Sequence, residues 1–197
     1  EVTIGRIDRA EPNKNIVRGF RAYELLLTRY PELKGKVKFL AFLVPSRTHI
    51  RQYQRYMDEI QQVIQQINNN HGTDDWQPIV PFIENNYTQA IAGMKLYDVL
   101  LVNTIIEGMN LVAKEGPVVN NRDGVLVLSH SGGVYKQLAD GALSVSPTDI
   151  EGTMEALHQA ITMSAKDRKD RAALMLESVC REDINHWLYQ QMYDISN

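Results

Sequence analysis

Short apolar runs of strand length recur along the chain, at residues 2–7 (VTIGRI), 37–44 (VKFLAFLV), 78–83 (PIVPFI), 97–103 (YDVLLVN), 124–129 (GVLVLS) and 142–146 (ALSVS). Most are continuous rather than alternating, the pattern of strands covered on both faces. Between them the period changes. From 47 to 68, Ile50, Tyr53, Met57, Ile60, Ile64 and Ile67 fall three or four apart, which draws one apolar stripe along a helix otherwise rich in Gln, Arg and Asp. From Lys14 to Tyr30 the same device recurs with Val17, Phe20, Tyr23, Leu27 and Tyr30, and Pro31 and Gly35 mark its end. Residues 67–76 (INNNHGTDDW) are polar and loop-like. The last third is helical. Pro147 to Asp149 form a turn and N-cap before one helix, and Ser164 caps a long terminal helix over 166–195, within which Trp187 at a helix end is the type of residue that packs a core.

Strand and helix thus alternate almost regularly, which predicts an α/β fold with a Rossmann-like, doubly wound parallel sheet. In such sheets ligands collect beyond the carboxyl ends of the strands, where helix N-termini present free N–H groups. The loops that follow strands are therefore the places to look: 8–15, 45–48, 104–110 and 129–133.

Composition narrows the picture. The 197 residues, 44% hydrophobic and 23% charged, fit a single globular domain over 1–197 with a sizeable core. A net charge of -3 with scattered basic residues carries no electrostatic footprint of nucleic-acid binding. Cys180 is the only cysteine, so no internal disulfide or thiolate-rich metal site is possible; it reads as a buried structural thiol in a reducing, cytoplasmic compartment. No apolar stretch approaches the roughly 20 residues that span a bilayer, and no membrane association is expected. The chain opens directly on a strand without an initiator methionine, which suggests a fragment of a longer protein.

Three loops carry candidate chemistry, each with a plainer alternative. In RIDRAEPNKN, Arg6, Arg9 and Lys14 surround Pro12 beside a helix start, an arrangement suited to a diphosphate or simply a solvated basic loop. In VPSRTHI, Arg47 follows a strand and precedes a helix, where a cation is disfavoured unless an anion offsets it; an exposed helix-start arginine is also commonplace. In EGMNLVAKE, Gly108 allows close backbone approach, the N–H groups of Gly108, Met109 and Asn110 are free at a helix start, and Glu115 lies at the depth of a ribose-binding carboxylate. A capped helix with a solvated glutamate has the same sequence. Gly132 and Gly133 in SHSGG lack the spacing and ending of a P-loop and read as a tight-packing device. His49, His71, His130, His158 and His186 are too dispersed for a metal site, and no Ser/His/Asp order stands out.

The eight residues from Gly108 to Glu115 resemble the donor-domain motif D-G-M-N-L-V-A-K-E of the trehalose-6-phosphate synthase family of retaining glycosyltransferases. VPSR (44–47), GVLVLS (124–129), ALSVSPTDIEG (142–152), AITM (160–163) and DINHW (183–187) match in the same order, so the resemblance covers the whole chain. It implies the C-terminal, nucleotide-sugar-binding domain of a two-domain GT-B enzyme, with the chain's own N-terminal domain as partner and the terminal helix crossing towards it.

The same resemblance implies roles. Arg9 and Lys14 hold the donor diphosphate and stabilise it as it departs; Leu111 and Val112 contact base and ribose through the backbone; Glu115 takes the ribose hydroxyls. Backbone N–H groups from Glu107 to Asn110 hold the transferred hexose, and Arg47 reaches the phosphate of a phosphorylated sugar or polyol acceptor. Transfer proceeds by front-face attack with retention, from UDP- or GDP-glucose as donor substrate, with no cofactor and no metal. Pro12 and Asn15 stand where the family carries an aromatic residue and glycine, Glu107 where it has aspartate, and Ile106 and Tyr87 where arginines are usual. These departures leave two further readings, a pseudo-glycosyltransferase that couples cyclitols and a non-catalytic regulatory module.

Overall fold

The computed structural model describes residues 1 to 196; Asn197, the last residue of the expected domain, lies outside them. Six parallel strands, β1 (Val2–Arg9), β2 (Val37–Val44), β3 (Ile79–Ile83), β4 (Val99–Val102), β5 (Val125–Ser129) and β6 (Leu143–Val145), form one sheet in the order β3-β2-β1-β4-β5-β6. Each strand falls within or close to one of the apolar runs. The pairing is in step from Val2↔Val37 to Arg9↔Val44, so β1 and β2 end level with one another.

Helices cover both faces. On one side lie α1 (Ile16–Arg29), α2 (Arg51–His71) and α6 (Ile150–Thr162), whose Phe20, Tyr23, Ile60, Ile64 and Leu157 pack on Ile4, Phe39, Leu101 and Val127. On the other lie α3 (Tyr87–Leu96), α4 (Leu111–Val119), α5 (Tyr135–Leu138) and α7 (Ala165–Arg181), where Met94, Ala113, Leu138 and Met175 meet Phe42, Leu100 and Leu128. Successive strand residues alternate between these two cores, the period-two geometry that makes both faces apolar. Each fully buried Phe or Leu contributes about 1.5–3 kcal/mol through area removed from water.

Several sequence expectations are corrected. α2 runs from Arg51 rather than 47, because residues 45–50 form a loop in which Arg47 is left-handed (φ 46°). It also continues to His71 through the asparagines expected to be loop; the amide of Asn68 pairs with both the N–H and the C=O of Ile79 at 2.9 Å and ties this last turn to β3. α1 starts at Ile16, after a short 3-10 turn at Pro12–Lys14. The single terminal helix is two: α7 ends at Arg181 and α8 (Ile184–Ser196) follows a break in which the Asp183 carboxylate accepts the His186 N–H at 2.9 Å. Ser164 and Asp149 do cap their helices.

Cys180 is exposed, not buried. The inward stripe of α7 runs through Met175 and Ser178, and Cys180 lies two positions past Ser178 on the opposite face. Trp187 is 57% exposed and packs no core, and α8 has no buried residue. Among the described residues no helix is long and apolar enough to cross a membrane.

Candidate functional site

The strand order reverses direction between β1 and β4, and the loops that leave their carboxyl ends meet in the crevice so formed. Hydrogen bonds tie them to one another and to the loop after β6. Ile105 N–H donates to the Asn13 carbonyl at 2.8 Å, and the Asn15 amide donates to the carbonyls of Asn103 and Pro147 at 2.9 and 2.6 Å. Asn15 itself is left-handed (φ 59°), the conformation that glycine adopts freely and that Asn tolerates best among other residues. Asparagine therefore keeps the turn that glycine serves in the related motif, and adds the bridge across the crevice.

Lys14 and Glu107, 93 positions apart, come together there. Lys14 Nζ lies 2.5 Å from Glu107 Oε2 and 3.5 Å from Asp8 Oδ1, and both side chains of the closer pair are nearly buried. The other oxygen of Glu107 accepts from the Asn110 amide at 2.5 Å, while Asn110 Oδ1 caps α4 by accepting the Ala113 N–H at 2.9 Å. One acidic residue thus fixes both a lysine and a helix cap. Burial pushes the Asp8 carboxyl above its ordinary range, with Arg6 and Lys14 acting against that rise.

Arg9 is turned away from this corner. Its guanidinium lies 3.1 Å from Glu11, which also accepts from Ser46 Oγ at 2.8 Å, so it faces the loop after β2. Arg47 is exposed at the far side of that loop, with Nη1 2.7 Å from the Tyr53 hydroxyl and the guanidinium over the Tyr53 ring. No hydrogen bond or ion pair joins Arg47 to Lys14 or Glu107 among the described residues.

At the start of α4 the N–H groups of Gly108, Met109 and Asn110 have no acceptor among the described residues. A Cβ added at Gly108 would meet nothing, whereas one at Gly133 would overlap the Gly108 carbonyl. The close backbone approach therefore belongs to Gly133, whose N–H donates to the Glu107 carbonyl at 2.9 Å, and Gly108 faces open space. A cleft of about 350 Å³ opens beside Gly108 and Met109, with Lys114 and Lys136 in its walls. Ile106, Met109 and Leu111 are exposed around the same helix start, and Val112 is partly buried behind them. Glu115, one turn into α4, is half-buried and has no ion-pair or hydrogen-bond partner among the described residues. Tyr87 begins α3 and is exposed.

Arg6 belongs to the strand, as its place in the apolar run at 2–7 predicts, and not to the loop that follows. It lies within β1, completely buried, and Asp8, two positions on and on the same face, is its partner at 3.0 Å. Asp8 is a site residue that the loop-by-loop reading of the sequence misses. Two opposite charges at i and i+2 in an otherwise apolar strand are the signal that marks both as one inward-facing pair. No group of three His, Cys, Asp or Glu side chains converges as a metal-ligand set among the described residues.

A doubly wound sheet with a lysine and a half-free helix start at its switch point is the arrangement at which α/β domains of this class collect ligands. The chain belongs to glycosyltransferase family 20, whose model matches residues 1–197. It is 34% identical over 196 residues to the trehalose-6-phosphate synthase of Citrobacter koseri, covering 97% of this chain and 41% of that protein. Its fold is that of the GT-B trehalose-phosphate synthases. It superposes with a TM-score of 0.94 and 31% identity on a UDP-forming α,α-trehalose-phosphate synthase from Burkholderia xenovorans, covering all of this chain and 44% of that one. The Escherichia coli trehalose-6-phosphate protein bound with UDP-2-fluoro glucose gives a TM-score of 0.93 at 33% identity, over 98% of this chain and 43% of that one. The chain spans less than half the length of these relatives.

Proposed function

We propose that this chain is the donor-binding, C-terminal domain of a retaining glycosyltransferase that transfers a hexose from a nucleoside-diphosphate sugar to a phosphorylated sugar or polyol, in the manner of a trehalose-phosphate synthase. The observation that carries the reading is the start of α4: three N–H groups without an acceptor among the described residues, open space beside Gly108, Lys14 held by the neighbouring Glu107, and an unpartnered Glu115 one turn along. The names of the relatives, one of them bound with UDP-2-fluoro glucose, point to the same ligand class.

In this reading the diphosphate lies between Lys14, Arg9 and the helix start, and Glu115 accepts from the two ribose hydroxyls, which supply the donors that it lacks. Base and ribose rest on the exposed Leu111 and the backbone of Val112. The N–H groups of Gly108 to Asn110, with Glu107, hold the hexose. Departure of the diphosphate concentrates negative charge on its oxygens, which Lys14 and the helix N–H groups stabilise from fixed positions, while Arg9 joins them by exchanging its Glu11 partner for the diphosphate. Arg47 takes the acceptor phosphate, and the other wall of the cleft comes from the protein's N-terminal domain. The donor is a substrate, UDP- or GDP-glucose, and no metal or cofactor enters the scheme.

Calorimetric titration of the full-length protein with UDP-glucose, GDP-glucose and ADP-glucose tests this. One donor is expected to bind, with Glu115→Ala and Lys14→Ala each weakening it about tenfold or more, the worth of one charge-assisted contact. Absence of binding to all three overturns the donor-site reading and supports a non-catalytic module, which the internal pairing of Lys14 with Glu107 favours.

A further inference from the structure

Beneath Lys14 lies a pair of ionisable side chains, Arg6 and Asp8, that the donor-site reading leaves without a role. Arg6 is completely buried in β1, and an arginine in such a place carries a desolvation cost that a methionine of similar length avoids. Its contacts run to the two ends of one residue. Nη2 donates to the backbone carbonyl of Lys14, and Nε donates to Asp8 Oδ2 at 3.0 Å, while the other oxygen of Asp8 is 3.5 Å from the Lys14 ammonium. The planar fork of the guanidinium points separate nitrogens at the two acceptors in a fixed geometry. The fold makes room for it: a Cβ at Gly19 of α1 would overlap Nη1, and that nitrogen has no partner among the described residues.

We propose that Arg6 and Asp8 are the positioning residues of Lys14, setting its backbone and aiming its ammonium at the donor diphosphate. The inference rests on the donor-site reading above. The balance of charge gives the reason. Asp8 is compensated chiefly by Arg6, at 3.0 Å, so Lys14 leans to Glu107 at 2.5 Å rather than down to Asp8 at 3.5 Å. Without Arg6, the buried Asp8 has only Lys14 as counter-ion and draws the ammonium below the crevice. Without Asp8, Arg6 still holds the Lys14 carbonyl, but the ammonium loses its lower support.

The test is a pair of double-mutant cycles in the full-length protein, read as affinity for UDP, GDP and ADP by calorimetry, with melting curves to show that each variant is folded. Arg6→Met is expected to weaken binding of the nucleotide about tenfold in the native background, and less than about twofold once Lys14→Met is present, since the effect travels through that lysine. A purely structural role gives the same loss in both backgrounds, or lowers the melting temperature and leaves affinity unchanged; either result overturns the proposal. Asp8→Asn keeps the shape of the side chain and supplies the second cycle with Lys14→Met should Arg6→Met fail to fold, with the same expected pattern. If the native protein binds none of the three nucleotides, the donor-site reading itself fails. If it binds one and Lys14→Met weakens it while neither cycle shows coupling, that reading stands and the positioning role falls.

Discussion

Two loops carry the cations expected to meet phosphate, and they are built in opposite ways. The loop after β1 is cross-tied: Lys14 is nearly buried between Glu107 and Asp8, Arg6 supports it from below, and Asn15 bridges to the loop after β4. The loop after β2 is open: Arg47 is exposed, left-handed, and held by one aromatic side chain. The difference teaches which kind of anion each suits. A site whose charge is fixed before the ligand arrives stabilises a developing charge without reorganising, as a leaving diphosphate needs. A surface arginine with little to restrain it suits a ligand that enters and leaves against a second wall.

The comparison is broken most severely at Lys14. Lys14→Met leaves Asp8 and Glu107 buried with one cation fewer, and removing one partner of a buried ionic group typically costs about 3–5 kcal/mol. Denaturant unfolding of the variant is expected to show a loss of that order. A loss below about 1 kcal/mol would mean that the pair behaves like a surface contact, and the contrast between the two loops would disappear. Gly19→Ala comes next. Alanine favours a helix over glycine by about 1 kcal/mol, yet here the added carbon overlaps the guanidinium of Arg6. Overpacking of about 1–3 kcal/mol is expected to win, so the melting temperature falls where helix propensity alone predicts a rise. An increase would show that Arg6 has room to move, and with it Lys14.

The third effect is one of pH. Burial raises the Asp8 carboxyl above its ordinary 3.8, so the native state holds its proton more firmly than the unfolded chain. Between the unfolded and the native pKa the unfolded state therefore binds fewer protons. The contribution of Asp8 to stability is greatest in acid and falls as pH rises from about 4 through the raised value, by about 1.4 kcal/mol for each pH unit that separates the two. Subtracting the pH profile of Asp8→Asn from that of the native protein isolates it. A difference that grows with pH instead would mean that Arg6 and Lys14 outweigh burial.

How far the sequence discloses this arrangement depends on the range of the interaction. The six strands are legible because each is a short apolar run, most of them covered on both faces, and Asp149 and Ser164 are legible as caps because capping is decided within four residues. The sequence places the start of α4 near Glu107, and the Asn110 cap sets it at Leu111. The Lys14–Glu107 pair is not legible, since it joins residues 93 positions apart and only the strand order brings them together. The burial of Arg6 is not legible either, because charge ordinarily signals exposure, and nothing local reveals that Gly19 leaves a space for it. Cys180 misleads in the opposite sense: free cysteines are usually buried, but the phase of α7 turns this one outward.

The smallest predicted effect on stability sharpens the open side of the comparison. A non-glycine residue in the left-handed region carries a modest cost, which the Arg47 side chain offsets through its contact with Tyr53. Arg47→Gly removes both the strain and the contact, and adds backbone freedom to the unfolded chain. These effects oppose one another, so stability is expected to change by less than about 1 kcal/mol, the scale of each of them. On the proposed function the change falls instead on the KM for a phosphorylated acceptor, which is expected to rise about tenfold in the full-length protein as one charge-assisted contact is lost, while donor affinity stays within about twofold. Loss of donor affinity would place Arg47 in the cross-tied corner, and would show that the two loops act as one site after all.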